Sequence, residues 1–179
     1  MDILTKKKKI SLVLDVIVIA ILIALDQFTK HLAVVHLQDK ESKVIIPKVL
    51  ELTFLKNNGA AFGILQNQKV FFVMIAIMIL IVIAYVLFRI PNEKKYTIMQ
   101  VVLVMIASGA AGNLIDRVRN DYVVDFISFV IINFPIFNVA DIYVTVSTIL
   151  FIFLFLFYYK EKDFDFLSFN QQRKYREFK

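Results

Sequence analysis

Three carboxylates stand against apolar sequence between Ser108 and Asp141: Asp116 near the end of Ser-Gly-Ala-Ala-Gly-Asn-Leu-Ile-Asp-Arg, Asp125 inside Tyr-Val-Val-Asp-Phe-Ile, and Asp141 closing Phe-Asn-Val-Ala-Asp. Ionisable groups beside hydrocarbon are costly and face a protein interior or a water-filled cavity, so these acids mark a functional site. Two carboxylates in unlike surroundings can divide acid-base work. One, as the anion, takes a proton from water; the other, protonated, donates to a carbonyl oxygen as a tetrahedral intermediate forms. Asp125 lies in an apolar, β-favouring stretch that pushes it towards the neutral acid. Asp141 falls in the first turn of an apolar helix, where the helix dipole favours an anion. The same spacing makes Asn138 an N-cap and Asp141 its capping-box partner, a structural role that does not exclude a chemical one. Asp116, followed directly by Arg117, reads as a structural pair or cap that shapes the site from beside it. Asp121 follows Asn120 where the chain must reverse, and reads as a turn residue.

Other chemistries lack their residues. The 179-residue chain has no cysteine, so it offers no disulfide, thiol nucleophile or Cys-ligated metal. His31 and His36 lie in no His-Glu-x-x-His pattern, no histidine follows them, and there is no Gly-x-Ser-x-Gly elbow. Carboxylate chemistry remains, and it calls for no metal and no cofactor. At 59% hydrophobic residues the chain is too apolar for a wholly aqueous fold. Its net charge of +6 suits anionic lipid headgroups, and the apolar runs decide for membrane lipid over nucleic acid.

Four spans must position these acids, at about 10–26, 70–88, 98–115 and 142–159. The lysine run Lys6–Lys9 precedes the first, which is followed by Asp26-Gln27 rather than a small-residue cleavage site, so it reads as an uncleaved span. Asp15 lies about 9 Å along that helix from the lysines and reads as a carboxylate near them. Asp26 and Lys30 share a helical face at i and i+4. Residues 31–69 form an extramembrane platform with Pro47 and a partly alternating strand over Val49–Leu55. The platform ends in Lys56-Asn57-Asn58-Gly59-Ala60-Ala61-Phe62-Gly63, either a place where a peptide backbone approaches closely or a plain turn. Gly109 and Gly112 permit close helix contact. Tyr158-Tyr159 closes the fourth span at the interface, and the tail 160–179, with Phe164, Phe166 and Phe169, reads as a disordered or membrane-grazing end. Lys and Arg number thirteen in the N-terminus, the 89–96 turn and the tail, against eight in the two opposite loops. Both termini are therefore expected in the cytoplasm and the acids at the outer face. One membrane domain, 1–179, accounts for the chain.

The motifs together resemble the bacterial lipoprotein signal peptidases, or type II signal peptidases. The resemblance rests on five blocks in the family's order: Asp26-Gln27-Phe28-Thr29-Lys30, Lys56 to Gly63, Gly109 to Arg117, Val123-Val124-Asp125-Phe126 and Phe137 to Asp141. Ser108, Asn120-Asp121, Ser128 and Ile142 depart from residues common in the family. The resemblance implies a mainly α membrane protein, a four-transmembrane-helix bundle with a small extracytoplasmic β-containing platform, acting as an aspartic endopeptidase. By the same resemblance Asp125 and Asp141 form the catalytic dyad, Asn57, Asn113, Arg117 and Asn138 surround it, and Gly59, Asp116, Asp26 and Lys30 fall within the family's blocks as site-shaping residues. The implied substrate is a lipid-modified prolipoprotein, cut on the N-terminal side of its diacylglyceryl cysteine in the bacterial cytoplasmic membrane. A small transporter would instead place carboxylates near the midplane, and a Gly-x-Gly-Asp intramembrane protease would need that motif within a span, which is absent here.

Overall fold

The structure is a computed structural model that describes residues 5–59 and 68–168. Helix α1 (Lys6–Leu37) starts where the Thr5 hydroxyl accepts the Lys8 N–H at 3.3 Å. It runs 32 residues, about 48 Å at 1.5 Å per residue. That is well past the expected end near residue 26, because no glycine or proline interrupts the sequence before Leu37 and because Asp26 and Lys30 are buried in an ion-pair network. Two strands follow, β1 (Lys43–Ile46) and β2 (Leu50–Asn57). Helix α2 (Lys69–Arg89) and a short 3-10 turn (Lys94–Tyr96) lead into α3 (Thr97–Asn120). Helix α3 also outlasts its expected span, ending only where Asp121 takes the left-handed conformation, φ 70°. Strand β3 (Val123–Phe129), a 3-10 turn (Val130–Ile132) and helix α4 (Val139–Phe157) complete the bundle.

All four helices are long and apolar enough to cross a membrane. They turn large side chains outward, among them Ile17 and Ile21 of α1, Ile81 of α2 and Ile149 and Phe153 of α4. In water such a surface would be an aggregation liability; in a bilayer it is the lipid-facing skin. Helix α3 is the hub, packed against the other three helices, and two glycines let its neighbours approach. A Cβ on Gly109 would lie 2.5 Å from the Ala140 carbonyl oxygen of α4, and one on Gly112 would lie 2.6 Å from Asp26 Oδ2 of α1.

The strands form one antiparallel sheet in the order β1-β2-β3 at one end of the bundle. Val124 and Phe126 of β3 pack on Ala33 and Leu37, so the final turns of α1 serve as the platform's floor. Pairing of β2 with β3 sets Leu55 opposite Asp125 and Asn57 opposite Val123, with a register shift between Leu52 and Leu55. Asn57 and Asp125 thereby become diagonal neighbours on one face.

At the other end, residues 160–168 are ordered against the bundle, where the sequence suggested a disordered or membrane-grazing end. A 3-10 helix (Glu161–Leu167) packs Phe164 and Phe166 onto the core around Met99 and Leu103. Arg89 donates to the Phe166 carbonyl at 2.8 Å and Tyr96 to the Asp163 carbonyl at 3.0 Å. Lys95 pairs with Asp163, whose carboxyl is held below its ordinary value by that contact. Tyr159, expected at the interface, is buried and stacks on Tyr96 at 6.0 Å; Tyr158 is exposed. Phe169 and the rest of the tail lie outside the described residues. Asp15 meets Gln100, whose Nε2 donates to both its oxygens at 2.8 Å, while Lys8 turns to the carbonyls of Leu87 and Ile90.

Candidate active site

The start of α4 builds the site. Asn138 is extended, φ −130° and ψ −177°; its Oδ1 accepts the Asp141 N–H at 3.0 Å, and Asp141 Oδ2 accepts the Asn138 N–H at 3.0 Å. This reciprocal capping box satisfies two of the helix's unpaired N–H groups and fixes the Asp141 carboxylate at the first turn. A third, the Ala140 N–H, donates to Asp26 Oδ1 of α1 at 2.9 Å. Just before the cap, Phe137 exchanges hydrogen bonds with Ile127, and its carbonyl also accepts the Phe126 N–H at 3.0 Å. Strand β3 is thus tied to the mouth of α4, which brings Asp125 beside Asn138.

Asp125 is 1% exposed. Its Oδ1 accepts from Asn138 Nδ2 at 2.6 Å and its Oδ2 from Asn57 Nδ2 at 2.7 Å. Burial, and next the neighbouring Asp141 charge, push the Asp125 carboxyl up to about 7, against the opposing pull of the two amides and Lys30. Asp141 Oδ1 accepts from Asn113 Nδ2 of α3 at 2.8 Å. Both acids line one cavity of about 480 Å³, together with Asn57, Gly59, Asn113 and Arg117. A shallower groove of about 230 Å³ shares Asn113, Arg117 and Asp141 and continues between α2 and α4 past Phe72 and Ala76. The Arg117 guanidinium lies 4.8 Å from the centre of the Phe72 ring and makes long contacts, 3.4 Å, to the carbonyls of Asn113 and Gly59.

Asp26, Lys30 and Asp116 stand behind the cavity. Lys30 Nζ bonds Asp26 Oδ2 at 2.9 Å, Asp116 Oδ2 at 3.0 Å and Asn113 Oδ1 at 2.8 Å. Asp116 is therefore paired with Lys30 of α1 rather than with the adjacent Arg117, and it also accepts the Val124 N–H of β3 at 3.1 Å. Gln27, which sequence reasoning assigned no role, donates to Asp116 Oδ1 at 2.9 Å and to the Gly112 carbonyl at 3.2 Å. Its signal was its place between Asp26 and Lys30. Thr145 of α4, in both the cavity and the groove, had no signal beyond lying one turn after Asp141. Ala60 to Gly63 of the expected close-approach stretch lie outside the described residues. Asp121 caps α3 and pairs with Lys69, away from the cavity. Among the described residues no group of three or more acids or histidines could hold a metal ion.

Fold and site together define a multi-pass membrane protein with one buried and one half-buried carboxylate, Asp125 and Asp141, at one end of its bundle. The family model for signal peptidase (SPase) II matches residues 18–157, and the chain belongs to that family of membrane proteases. It is 44% identical over 136 residues to the lipoprotein signal peptidase of Caldanaerobacter subterraneus subsp. tengcongensis, spanning 75% of this chain and 90% of the relative. It is 45% identical over 138 residues to the lipoprotein signal peptidase of Streptococcus pyogenes serotype M5, spanning 76% and 89%. Among solved structures, a bacterial membrane enzyme determined in meso at 2.3 Å superposes with a TM-score of 0.72 at 38% identity, covering 79% of this chain and 87% of that one. A second bacterial membrane enzyme structure, at 1.9 Å, gives 0.70 at 37%, covering 81% and 94%.

Proposed function

We propose that this protein removes the signal peptide from diacylglyceryl-modified prolipoproteins, cutting on the N-terminal side of the lipidated cysteine, with Asp125 and Asp141 as an aspartic dyad. The observation that carries this reading is that both acids open into one cavity, bridged through Asn138, and that the cavity continues into a groove between two membrane helices. Asp125, with its carboxyl pushed up to about 7, is the acid of the pair and Asp141 the base. Asp141 takes a proton from water as the water oxygen attacks the scissile carbonyl carbon, and Asp125 gives its proton to the carbonyl oxygen. Collapse of the tetrahedral intermediate breaks the C–N bond. The proton held by Asp141 goes to the departing amine, and Asp125 recovers its own from the intermediate's hydroxyl. The products are a carboxyl-terminated signal peptide and a lipidated cysteine with a free amino group.

The groove past Phe72, Ile75, Ala76 and Ile79 is apolar and suits acyl chains, whose binding energy would set the peptide bond against the dyad. The Lys/Arg asymmetry supports cytoplasmic termini and a dyad at the outer face of the cytoplasmic membrane. The test is a gel-shift assay of purified enzyme with a lipidated and an unlipidated prolipoprotein. Cleavage confined to the lipidated form is expected, and equal turnover of both would remove the substrate assignment.

A further inference from the structure

Three asparagines supply the side-chain donors to the two acids, and each is held in one orientation by a donor that cannot accept. An amide's oxygen and nitrogen ends are nearly the same shape, so only partners decide which end faces a carboxylate. Asn57 Oδ1 accepts the Gly59 N–H at 2.9 Å, which turns its NH2 to Asp125. Asn138 Oδ1 accepts the Asp141 N–H, which turns its NH2 to Asp125 as well. Those two locks are backbone. The third is a side chain: Asn113 Oδ1 accepts from Lys30 Nζ at 2.8 Å, with a longer bond of 3.1 Å from Asn138, and its NH2 faces Asp141.

We propose that Lys30 is a positioning residue for the reaction, acting through Asn113: its ammonium, which has only protons to offer, keeps the Asn113 NH2 aimed at Asp141. Its three protons are fully engaged by Asp26, Asp116 and Asn113, and the side chain is 3% exposed, so it does not reach substrate. Without it, Asn113 keeps only the longer Asn138 bond and is free to turn its oxygen towards Asp141, replacing a hydrogen bond with repulsion. The other charges that face Asp141 are Asp26 of α1, Arg117 of α3 and Asp125 of β3, with Asp116 of α3 beyond Arg117. This inference rests on the reading of Asp125 and Asp141 as the dyad.

Removing Lys30 alone leaves two buried carboxylates without a cation, so the test uses Lys30→Met together with Asp116→Asn, which keeps the net charge, compared with Asp116→Asn alone. Initial rates on lipidated prolipoprotein are measured across pH in both variants and again in an Asn113→Ala background, with thermal unfolding as the check on fold. The expected result is a fall in kcat of roughly 10- to 100-fold, the range for a hydrogen bond to a charged group, with KM little changed. The acid limb of the profile should move to higher pH, because the pair loses a donor to its anionic form. In the Asn113→Ala background removal of Lys30 should cost almost nothing further, since the effect runs through Asn113. An unchanged kcat and pH profile would overturn the assignment, as would an equal further loss in the Asn113→Ala background, which is what a through-space field or a purely structural lysine gives. Should Asp141→Asn retain activity, the dyad reading falls first. Should Asp141→Asn be inactive while the Lys30 variant matches its Asp116→Asn control, only the role of Lys30 is lost.

Discussion

Asn138 Nδ2 donates to Asp125 Oδ1 at 2.6 Å from the very residue that caps the helix carrying Asp141. One side chain therefore sets both where α4 begins and how β3 presents its acid. Serine separates the two duties. Asn138→Ser keeps an oxygen for the Asp141 N–H and caps about as well as asparagine, but it has no NH2 to reach Asp125. The variant is expected to unfold near the wild-type temperature while cleaving roughly 10- to 100-fold more slowly, the loss of a hydrogen bond to a charged group. Full activity in that variant would show that the bond to Asp125 is incidental.

Asparagine in place of either dyad acid keeps the shape but can neither take nor share a proton, and it sets its NH2 against one of the N–H donors that the carboxylate accepted. Asp125→Asn and Asp141→Asn should each lower cleavage by roughly 10²- to 10⁴-fold with the fold retained, the range for a lost general acid or base. Asp121→Asn should stay close to wild type, because that residue sits at a left-handed helix end outside the cavity. Near-normal cleavage by either dyad variant, or a loss that only tracks unfolding, would end the aspartic assignment at that residue.

The motif blocks made Asp125, Asp141, Asn138 and Asn113 legible because their spacing within each block is local. The partners that join blocks were not. The i, i+4 spacing of Asp26 and Lys30 is visible in the chain, yet nothing in it says that Asp116 would close the same ammonium from α3 and bury all three. The contact between Asn57 and Asp125 depends on a strand register that slips between Leu52 and Leu55, and no propensity encodes that slip. The helices outrun the expected spans for a related reason. Hydropathy falls at Asp26 and Asp116, but both helices continue because those acids are paired inside the protein rather than exposed at its edge. The phenylalanines of the C-terminal segment suggested a disordered or membrane-grazing end, whereas Phe164 and Phe166 pack against the bundle itself.

Asp125 also makes stability depend on pH. Folding raises its carboxyl from about 3.8 to about 7, so the folded state holds the proton more tightly than the unfolded chain. The stability this supplies is complete below about 3.8 and is lost as pH rises to about 7. Asp125→Asn escapes that loss, so its melting temperature should gain on wild type across this window and level off above it. Cleavage should fall above about pH 7 as the proton donor is depleted, giving a bell-shaped profile whose limbs belong to the coupled pair. A melting-temperature difference that stays flat across the window would remove the shift assigned to Asp125.

The chain has no cysteine, so a single engineered one reports topology cleanly. With both termini cytoplasmic, a cysteine at Gln38 should react with an impermeant reagent in intact cells and one at Lys94 should not. The reverse pattern would invert the orientation.

Gly109 and Gly112 test whether close approach of α3 is what fits the site together. At Gly109 an added methyl meets backbone, the Ala140 carbonyl oxygen at 2.5 Å, and Val144 Cγ2 at 2.6 Å. The carbonyl oxygen cannot swing aside without moving the first turn of α4, and Asp141 is the next residue along. At Gly112 the methyl meets Asp26 Oδ2 at 2.6 Å, and Asp26 is held by Lys30 and by the Ala140 N–H. Either clash must be relieved by a helix shift, which for an overpacked core costs about 1–3 kcal/mol. Both alanine variants should therefore melt earlier than wild type in detergent. Gly109→Ala should lose more activity than stability alone explains, because the displaced turn carries Asp141, and so should Gly112→Ala, because the displaced Asp26 holds Lys30 and the Ala140 N–H. Wild-type melting and cleavage in Gly109→Ala would mean that α3 and α4 can part there without disturbing the dyad.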